Sequence, residues 1–538
     1  NRVLLRALGS KNIFSASTVD QMPKHVSSGL MFGHPDVIAV PDIDRTSFLL
    51  MLGANPKVSN GSLATAPDWP GRIEAIRQRG GKVVVVDPRR SKTAELADEH
   101  IFIRPGTDAL WLAAIGNVLV DDGLVELGRL AKHVNGLDEA AQALDRHTPE
   151  AVAAVCGISA VITRRIAHEF AAARTAVAYG RLGTHATRFG TVAAWLVDLI
   201  NVLTGNLDSP GGAMFPLAAT ERPRSPRGFR TGRWQSRVHG YPEVRGELPA
   251  STLADEIETP GDGQIKALIT VAGNPLLSTP DSARLDRALA GLDFMVSVDI
   301  YVNETSRHAD VILPAPSPLE RSHYDFAFTA LSVRNVVNYS PAVFPARSDR
   351  PDEWEILLRL AAIVLGLPAT ADVATLDDQV LLTLVSGAVA DEGSSLVGRQ
   401  PESILAETQG ERGPERILDF LVRTGAYGDG YGKRDGLTLG KLAENPHGID
   451  LGPLRSRVPG ILATPSKMIE LAPEPVIAAL AEITEQMTDI PQGMMLVGRR
   501  TLRSNNSWMH NLEVLVRGKD RCMLHINPED ALRLGIEE

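Results

Sequence analysis

One phrase is written twice in this chain, and its recurrence constrains the fold more than any other feature. The first copy is the apolar run Phe48-Leu49-Leu50-Met51-Leu52, then Gly53-Ala54-Asn55-Pro56, then a second run Val83-Val84-Val85-Val86 ending in Asp87. The second copy is Ala267-Leu268-Ile269-Thr270-Val271-Ala272, then Gly273-Asn274-Pro275, then Phe294-Met295-Val296-Ser297-Val298 ending in Asp299. Asp87, Thr93 and Ala97-Asp98 recur at the same offsets as Asp299, Thr305 and Ala309-Asp310. Short apolar runs between turn signals predict buried parallel strands. A glycine at the strand's carboxyl end lets backbone approach a phosphate, and the helix that follows offers unpaired N–H groups to the anion. An aspartate at the tip of the neighbouring strand is placed to hydrogen-bond a ribose hydroxyl. Each copy is therefore half of a nucleotide cradle, and the pair implies two related nucleotides or one duplicated fold. The simpler reading of Asp87 and Asp299, as strand-end turn residues, stays open.

A chain of 538 residues is long enough for three or four domains. Its 44% hydrophobic and 22% charged content suits a globular protein, and no apolar run in the sequence reads as a membrane span. A net charge of -10 argues against nucleic acid as the main partner. Cys156 and Cys522 are too far apart to suggest a cluster motif, so neither a disulfide framework nor a zinc or iron–sulfur site is built from them. Cys156, before the helix-start phrase Gly157-Ile158-Ser159, reads as a core residue. The chain opens in mid-pattern at Asn1 and stops where a domain is starting, at Leu534-Gly535, and so reads as a segment of a longer one.

Residues 1–40 are polar and turn-rich, with Ser15-Ala16-Ser17-Thr18 and Ser27-Ser28-Gly29. From 41 to 218 strands and helices alternate, as in a doubly wound sheet. Ile101-Phe102-Ile103 is a strand before Gly106-Thr107-Asp108 and a long apolar helix from Trp111. Ala176-Val177-Ala178-Tyr179 is a strand that ends in Gly180. Between 219 and 262 the pattern dissolves, and Arg222, Arg224, Arg227, Arg230, Arg233 and Arg237 crowd one stretch. They form either a solvated loop or the cationic lining of an anion channel. Residues 372–440 read as helices and loops. A helix is expected over Val476–Met487, strands at Met494–Val497 and Met523–Ile526, and a helix start at Pro528.

These phrases, taken in order, resemble the catalytic subunits of the molybdopterin oxidoreductases, the dimethyl-sulfoxide-reductase superfamily. The resemblance rests on Leu52-Gly53-Ala54-Asn55-Pro56, Val86-Asp87-Pro88-Arg89-Arg90 with Thr93-Ala94 and Ala97-Asp98, and Pro105-Gly106-Thr107-Asp108. It extends through Leu203-Thr204-Gly205-Asn206-Leu207, Ala272-Gly273-Asn274-Pro275, Ala309-Asp310-Val311-Ile312-Leu313-Pro314 and Asn527-Pro528-Glu529-Asp530-Ala531. It implies an α/β, multi-domain fold with two pseudo-symmetric doubly wound parallel-sheet nucleotide-binding domains and the start of a C-terminal β-barrel. The expected divisions are an active-site loop region (1–40), a first dinucleotide domain (41–218), a second with helical and loop insertions (219–490) and the barrel start (491–538).

The resemblance also implies a bis(molybdopterin guanine dinucleotide) cofactor with molybdenum or tungsten, whose metal is held mainly by dithiolene sulfurs. Gly53, Asn55, Asp87, Gly106, Asp108 and the strand-end Gly180 would serve one dinucleotide. Gly273, Asn274, Pro275, Asp299, Thr305 and Asp310 would serve the other, with Gly53 and Gly273 facing one crevice. Arg499, Thr501, Ser504, Asn505 and His510 would close over the pterins. An iron–sulfur cluster is expected upstream of Asn1.

The sequence departs from the family where the metal ligand is expected. Aligning Val19-Asp20 with the family's phrase puts Val26 where formate dehydrogenases and nitrate reductases carry a thiol or selenol, and Ser27 where formate enzymes carry histidine. Leu217-Ala218-Ala219 occupies the place of a formate-enzyme arginine, so the resemblance does not carry formate oxidation with it. Lys24, His25, Val26 and Ser27 are the candidate catalytic residues. On one reading the metal takes no protein side chain, as in arsenite oxidases; on the other the register slips by one position and His25 or Ser27 is the ligand. Bland readings stand beside these: His25 as a surface loop residue, His510 as a packed one, Glu320 as turn chemistry.

Two functions are consistent with these residues. One is a redox enzyme that exchanges oxygen atoms or electron pairs with a small substrate and passes electrons to a partner protein, in the cytoplasm, with neither nucleic acid nor a membrane span. The other is a metal-free electron-transfer or scaffold subunit that keeps the fold, as the large peripheral subunit of respiratory NADH–quinone oxidoreductase does.

Overall fold

The computed structural model describes residues 2–222, 228–345, 349–485, 487, 493–504 and 506–537. Contacts divide the chain into a large unit over 1–497 and a small one over 498–538. The large unit opens with helices where the sequence reads as a loop region. Helix α1, Met22–Phe32, starts with Pro23 in its first turn and stops at Gly33, whose φ of 83° is left-handed. Most of α1 is buried, including Lys24 and Ser27. Of the polar residues that suggested a loop, Lys24 pairs with Asp198, Ser15 donates to Glu247 and Thr18 accepts from Ala250 N–H. Ser28 Oγ, by contrast, is buried without a partner among the described residues.

The first sheet contains β1 (Phe48–Leu52), β2 (Lys82–Val86), β3 (Glu99–Ile101) and β4 (Ala176–Gly180) in the order β3-β2-β1-β4, all parallel. Every residue of β1 is buried, as a central parallel strand requires. Helices α2 (Asp108–Asp121) and α3 (Gly190–Leu203) are apolar almost all round and lie inside the main core with Trp111 and Trp195. Cys156 is fully buried in the same core, and burial pushes its thiol up to about 12.

The second sheet has β5 (Ala267–Val271), β6 (Phe294–Val298) and β7 (Val311–Ile312) in the order β7-β6-β5, again parallel. Its order repeats that of β3-β2-β1. The helical region beyond includes α4, Val373–Ala390, which has the length and hydropathy of a membrane span, contrary to the sequence reading. Yet Leu381, Val385 and Ala388 of α4 pack with Ile404 and Phe420, and its Asp377 pairs with Arg416. In the large unit the expected final helix runs over Glu474–Glu485. Met494–Val497 is not a strand.

The small unit holds short helices at Trp508–Asn511, Glu513–Val516 and Pro528–Leu534. The last starts as expected, with the Asn527 side chain accepting from Glu529 N–H. Met523–Ile526 is not a strand, and no strand occurs among the described residues of 498–537, so a barrel start is not seen. A strand exists through its ladder, and neither apolar run has one to join.

Candidate functional site

Both copies of the repeated phrase build the same hydrogen-bonded frame at the carboxyl ends of their strands. In the first, Thr93 Oγ1 donates to Asn55 Oδ1 (2.8 Å) and accepts from Lys57 N–H (3.1 Å). In the second, Thr305 Oγ1 donates to Asn274 Oδ1 (2.7 Å) and accepts from Leu276 N–H (3.2 Å). Asp87 accepts from Arg89 N–H at 2.8 Å and Asp299 from Tyr301 N–H at 3.1 Å. Pro56 and Pro275 each start a helix of only four residues. The threonines, fully buried, therefore orient the asparagines and occupy one helix-start N–H apiece.

The glycines match differently from the sequence reading. Gly53 has φ 57° and its N–H donates to Val86 O; the second-copy residue with φ 51° and an N–H on Val298 O is Ala272. Gly53 therefore corresponds to Ala272, and Gly273 to Ala54. A Cβ on Gly53 would lie 2.7 Å from Gly183 Cα, so this glycine permits a close approach of the protein's own backbone. Gly106 has open space where a Cβ would be, and Gly273 would meet only Val271 O, at 3.9 Å. Gly180 packs tightly, with Thr184 Oγ1 at 3.0 Å from its notional Cβ.

Asp98 and Asp310 sit at the opposite end of the sheets. Asp98 Oδ2 accepts from Val83 N–H and Asp310 Oδ2 from Met295 N–H, both at 2.8 Å, at the amino ends of β2 and β6. This geometry gives Asp310 a sheet-fastening task, away from the strand tip where Asp299 lies. Asp108 begins α2 in a fully enclosed position. Burial, with the nearby Asp87 carboxylate, pushes its carboxyl up to about 7. Burial raises Asp87 as well.

A second polar cluster gathers where α1 meets the tip of β4. Lys24 Nζ lies 2.6 and 2.7 Å from the two carboxylate oxygens of Asp198, with both side chains buried. Burial raises the Asp198 carboxyl while Lys24 opposes it. Beside them is a cavity of about 20 Å³, lined also by Tyr179, Gly180 and Asn201, room for one water. Arg181 donates from Nε to Ser62 Oγ (3.0 Å), and its Nη1 lies 3.7 Å from Asp20 Oδ1. Arg181 Nη1, Asp20 Oδ1, Tyr179 Oη and His185 Nδ1 are all buried without a hydrogen-bond partner among the described residues. Burial holds His185 well below its ordinary value, Arg181 and Lys24 adding to the effect, and pushes the Tyr179 phenol up to about 12. Buried polar atoms are normally paired, so several orphans at one sheet tip fit a polar ligand.

On the helix, His25 and Ser27 point apart, as residues two apart must. Ser27 is fully buried with its hydroxyl 3.9 Å from the Met31 sulfur. His25 Nδ1 donates to Pro35 O at 2.8 Å and lies 3.5 Å from Asp36 Oδ1. Burial, then Arg245, lowers its pKa, so at neutral pH the ring is uncharged with its lone pair on Nε2. Val26 is half-buried.

Next to the loop that holds His25 opens a cleft of about 600 Å³, lined by His34, Pro35, Asp36, Phe229, Arg230, Arg233 and Arg245. The arginine-rich stretch thus divides. Arg230 and Arg233 line the cleft. Arg222 lies over the Phe420 ring and Arg237 donates to Thr259 O. Arg224 and Arg227 lie outside the described residues. Glu320 accepts from Ser317 N–H, closing a turn. In the small unit Ser504 Oγ and His510 Nε2 are 2.9 Å apart, Arg499 donates to Arg521 O, and Thr501 Oγ1 is buried without a partner among the described residues. Asn505 lies outside the described residues.

Sequence reasoning missed Asp20, Tyr179, Arg181, His185, Asp198 and Arg245. Asp198 carried a signal, as the single charge in the apolar helix α3. The others are joined only by the fold.

Residues 2–363 match the model of a family described as molybdopterin oxidoreductase. The assimilatory nitrate reductase catalytic subunit of Bacillus subtilis is 26% identical over 339 residues, covering 60% of this chain and 46% of that one. Formate dehydrogenase H of Escherichia coli is 25% identical over 375 residues, covering 66% and 50%. A nitrate reductase of Synechocystis is 30% identical over 296 residues, covering 51% and 40%. The chain thus spans about half the length of these relatives. Among solved structures, acetylene hydratase from Pelobacter acetylenicus superimposes with a TM-score of 0.68 over all of this chain and 72% of its own, at 18% identity, a likeness of fold.

Proposed function

Since the chain belongs to the molybdopterin oxidoreductase family, we propose that it forms part of an enzyme that performs two-electron or oxygen-atom transfer on a small substrate. The cofactor would be a bis(molybdopterin guanine dinucleotide) with molybdenum or tungsten. One observation carries this reading: the Asn–Thr frame and strand-tip aspartate are built twice with the same hydrogen bonds, as two like nucleotides on pseudo-symmetric halves require. The orphaned polar atoms of Tyr179, Arg181 and His185 fit a polar group held at the tip of β4. Asn55, Asp87, Gly106 and Asp108 would bind one dinucleotide, and Gly273, Asn274 and Asp299 the other. Thr93 and Thr305 act through their asparagines.

The cofactor's metal would supply the electron pair, and this chain's residues would position and protonate. His25, kept neutral and fixed through Pro35, would offer Nε2 as a proton acceptor to substrate. Lys24 is held in place by its buried contacts with both carboxylate oxygens of Asp198. Val26 would leave the metal without a protein side chain, and the burial of Ser27 against Met31 would make Ser27 a poor ligand. An iron–sulfur centre outside this chain and a partner protein would carry the electrons.

Val26 is also what favours the metal-free scaffold reading, since no side chain there binds metal. Elemental analysis of the full-length protein separates the two. The enzyme reading expects about one molybdenum or tungsten per chain; a protein purified with its pterin pathway intact but holding no such metal would be the scaffold.

A further inference from the structure

The two frames differ where the base of a nucleotide would lie, an inference that rests on the nucleotide-binding role proposed for them. Strand β3 runs beside β2 in a register that sets His100 opposite Val85. The ladder continues past the end of β2, with Asp87 N–H donating to Ile101 O. Side chains two apart on a strand share a face, so Asp87 and Phe102 leave the two strand tips on the same side. Paired strands lie about 4.8 Å apart. Phe102 is therefore the immediate neighbour of the aspartate placed to take a ribose hydroxyl.

Phe102 is 59% exposed, and single exposed apolar side chains are common. Its surroundings set this one apart. The His100 ring braces it, with centroids 4.3 Å apart. His100 is itself anchored, Nε2–H donating to Asp87 O at 3.0 Å. Gly106, four residues on, has φ 82° and open space where a Cβ would be. The chain then returns towards the tip of β2, where burial and the Asp87 carboxylate act together on the enclosed Asp108. An aromatic ring held by its neighbour, more than half open to solvent and next to a ribose-binding carboxylate, is a stacking surface for a base.

The second frame lacks it. Ser297 pairs with Ile312 there, so the places of His100 and Phe102 fall to Ile312 and Pro314.

We propose that Phe102 is a base-contacting residue of the first cradle, its exposed ring stacking on the purine of that nucleotide, with His100 as the positioning residue behind it. The second cradle holds its base without an aromatic ring at the matching place.

The test uses the full-length protein purified without its cofactor, with guanosine monophosphate and ribose 5-phosphate as probes, each titrated by calorimetry. Phe102→Ala should weaken guanosine monophosphate about tenfold at one site, and Phe102→Tyr should keep most of the affinity. Ribose 5-phosphate, which has no base, should respond to neither. Guanosine monophosphate binding indifferent to Phe102→Ala would overturn the proposal. So would an equal loss for ribose 5-phosphate, or a parent protein that binds the two probes alike. Metal content of the cofactor-loaded parent keeps the two readings apart. A metallated protein whose nucleotide site ignores Phe102 defeats this inference alone. A metal-free protein whose guanosine monophosphate site depends on Phe102 defeats the redox reading and leaves the stacking surface standing.

Discussion

The two repeated frames share their polar skeleton and differ in almost everything around it. In the first, β1 is wholly buried, four strands pair, and Gly53 meets Gly183 backbone to backbone. In the second, β5 is only partly covered, Phe294 is half exposed and Val302 is 74% exposed. Lys92 and Glu304 hold the same offset after their strand-tip aspartates, with opposite charge, and Glu304 accepts from the Asn274 amide at 2.8 Å. What is common to both is the set of hydrogen bonds that fixes one asparagine and one aspartate at the carboxyl ends of the strands. The packing differs, and these polar contacts do not. That pattern is expected when two sites serve chemically like ligands in unlike surroundings.

The frames should part most over the carboxyl that only the first one buries. Asp108 holds its proton up to about 7 in the fold and only to about 4 when unfolded. Its folded pKa is raised, so its contribution is full below pH 4 and lost as pH rises through 7. Asp108→Asn should therefore stabilise the cofactor-free protein at pH 8 by up to roughly 4 kcal/mol, and little at pH 4. Urea denaturation at the two pH values checks this. An equal shift at both would mean that Asp108 is not the buried acid described.

Backbone comes next. Gly53→Ala adds a Cβ against Gly183 in a left-handed conformation and should cost about 2–4 kcal/mol. Ala272→Gly, at the matching position of the second frame, should change stability by less than about 1 kcal/mol, strain relief offsetting chain entropy. Similar costs at both sites would undo the pairing of Gly53 with Ala272.

Asp310 and Asp299 separate fastening from binding. Asp310→Ala removes a backbone clasp and should cost about 1–3 kcal/mol, with cofactor lost only in step with folded protein. Asp299→Asn should lower guanine nucleotide content more than it lowers the unfolding midpoint. If Asp310→Ala empties a protein that remains folded, the clasp is also a ligand.

The finest test of symmetry lies in the two threonines. Thr93→Val and Thr305→Val each remove one hydroxyl between an asparagine and a helix-start N–H and should each cost about 1 kcal/mol in urea denaturation. Costs that differ by more than about twofold would show that the two frames are not equivalent.

Much of the architecture was legible in sequence. Most strand positions, their parallel pairing and the repetition followed from apolar runs and strand-end turns, though the strand expected at Ile101–Ile103 lies two residues earlier, at Glu99–Ile101. The register of the glycines was not legible. Gly53 and Gly273 align by residue type, yet the left-handed position in the second copy belongs to Ala272, which only backbone geometry reveals. Residues 1–40 read as a loop because Lys24, Ser27 and Ser28 look solvated. They form a buried helix because Asp198, distant in the chain, neutralises Lys24 inside the core. Tyr179, Arg181 and His185 lie in one short segment, but nothing in its spacing marks them, and the burial that orphans their polar groups is set by the fold. The strands expected at Met494–Val497 and Met523–Ile526 were apolar runs without a ladder to complete.

If the two frames hold two like nucleotides around one metal, the stoichiometry of the cofactor is fixed. It is read most directly as the ratio of guanosine monophosphate, released by acid hydrolysis of the full-length holoenzyme, to bound molybdenum or tungsten. Two guanosine monophosphates per metal are expected. A ratio of one, or a cofactor with no nucleotide, would contradict the pairing of the frames.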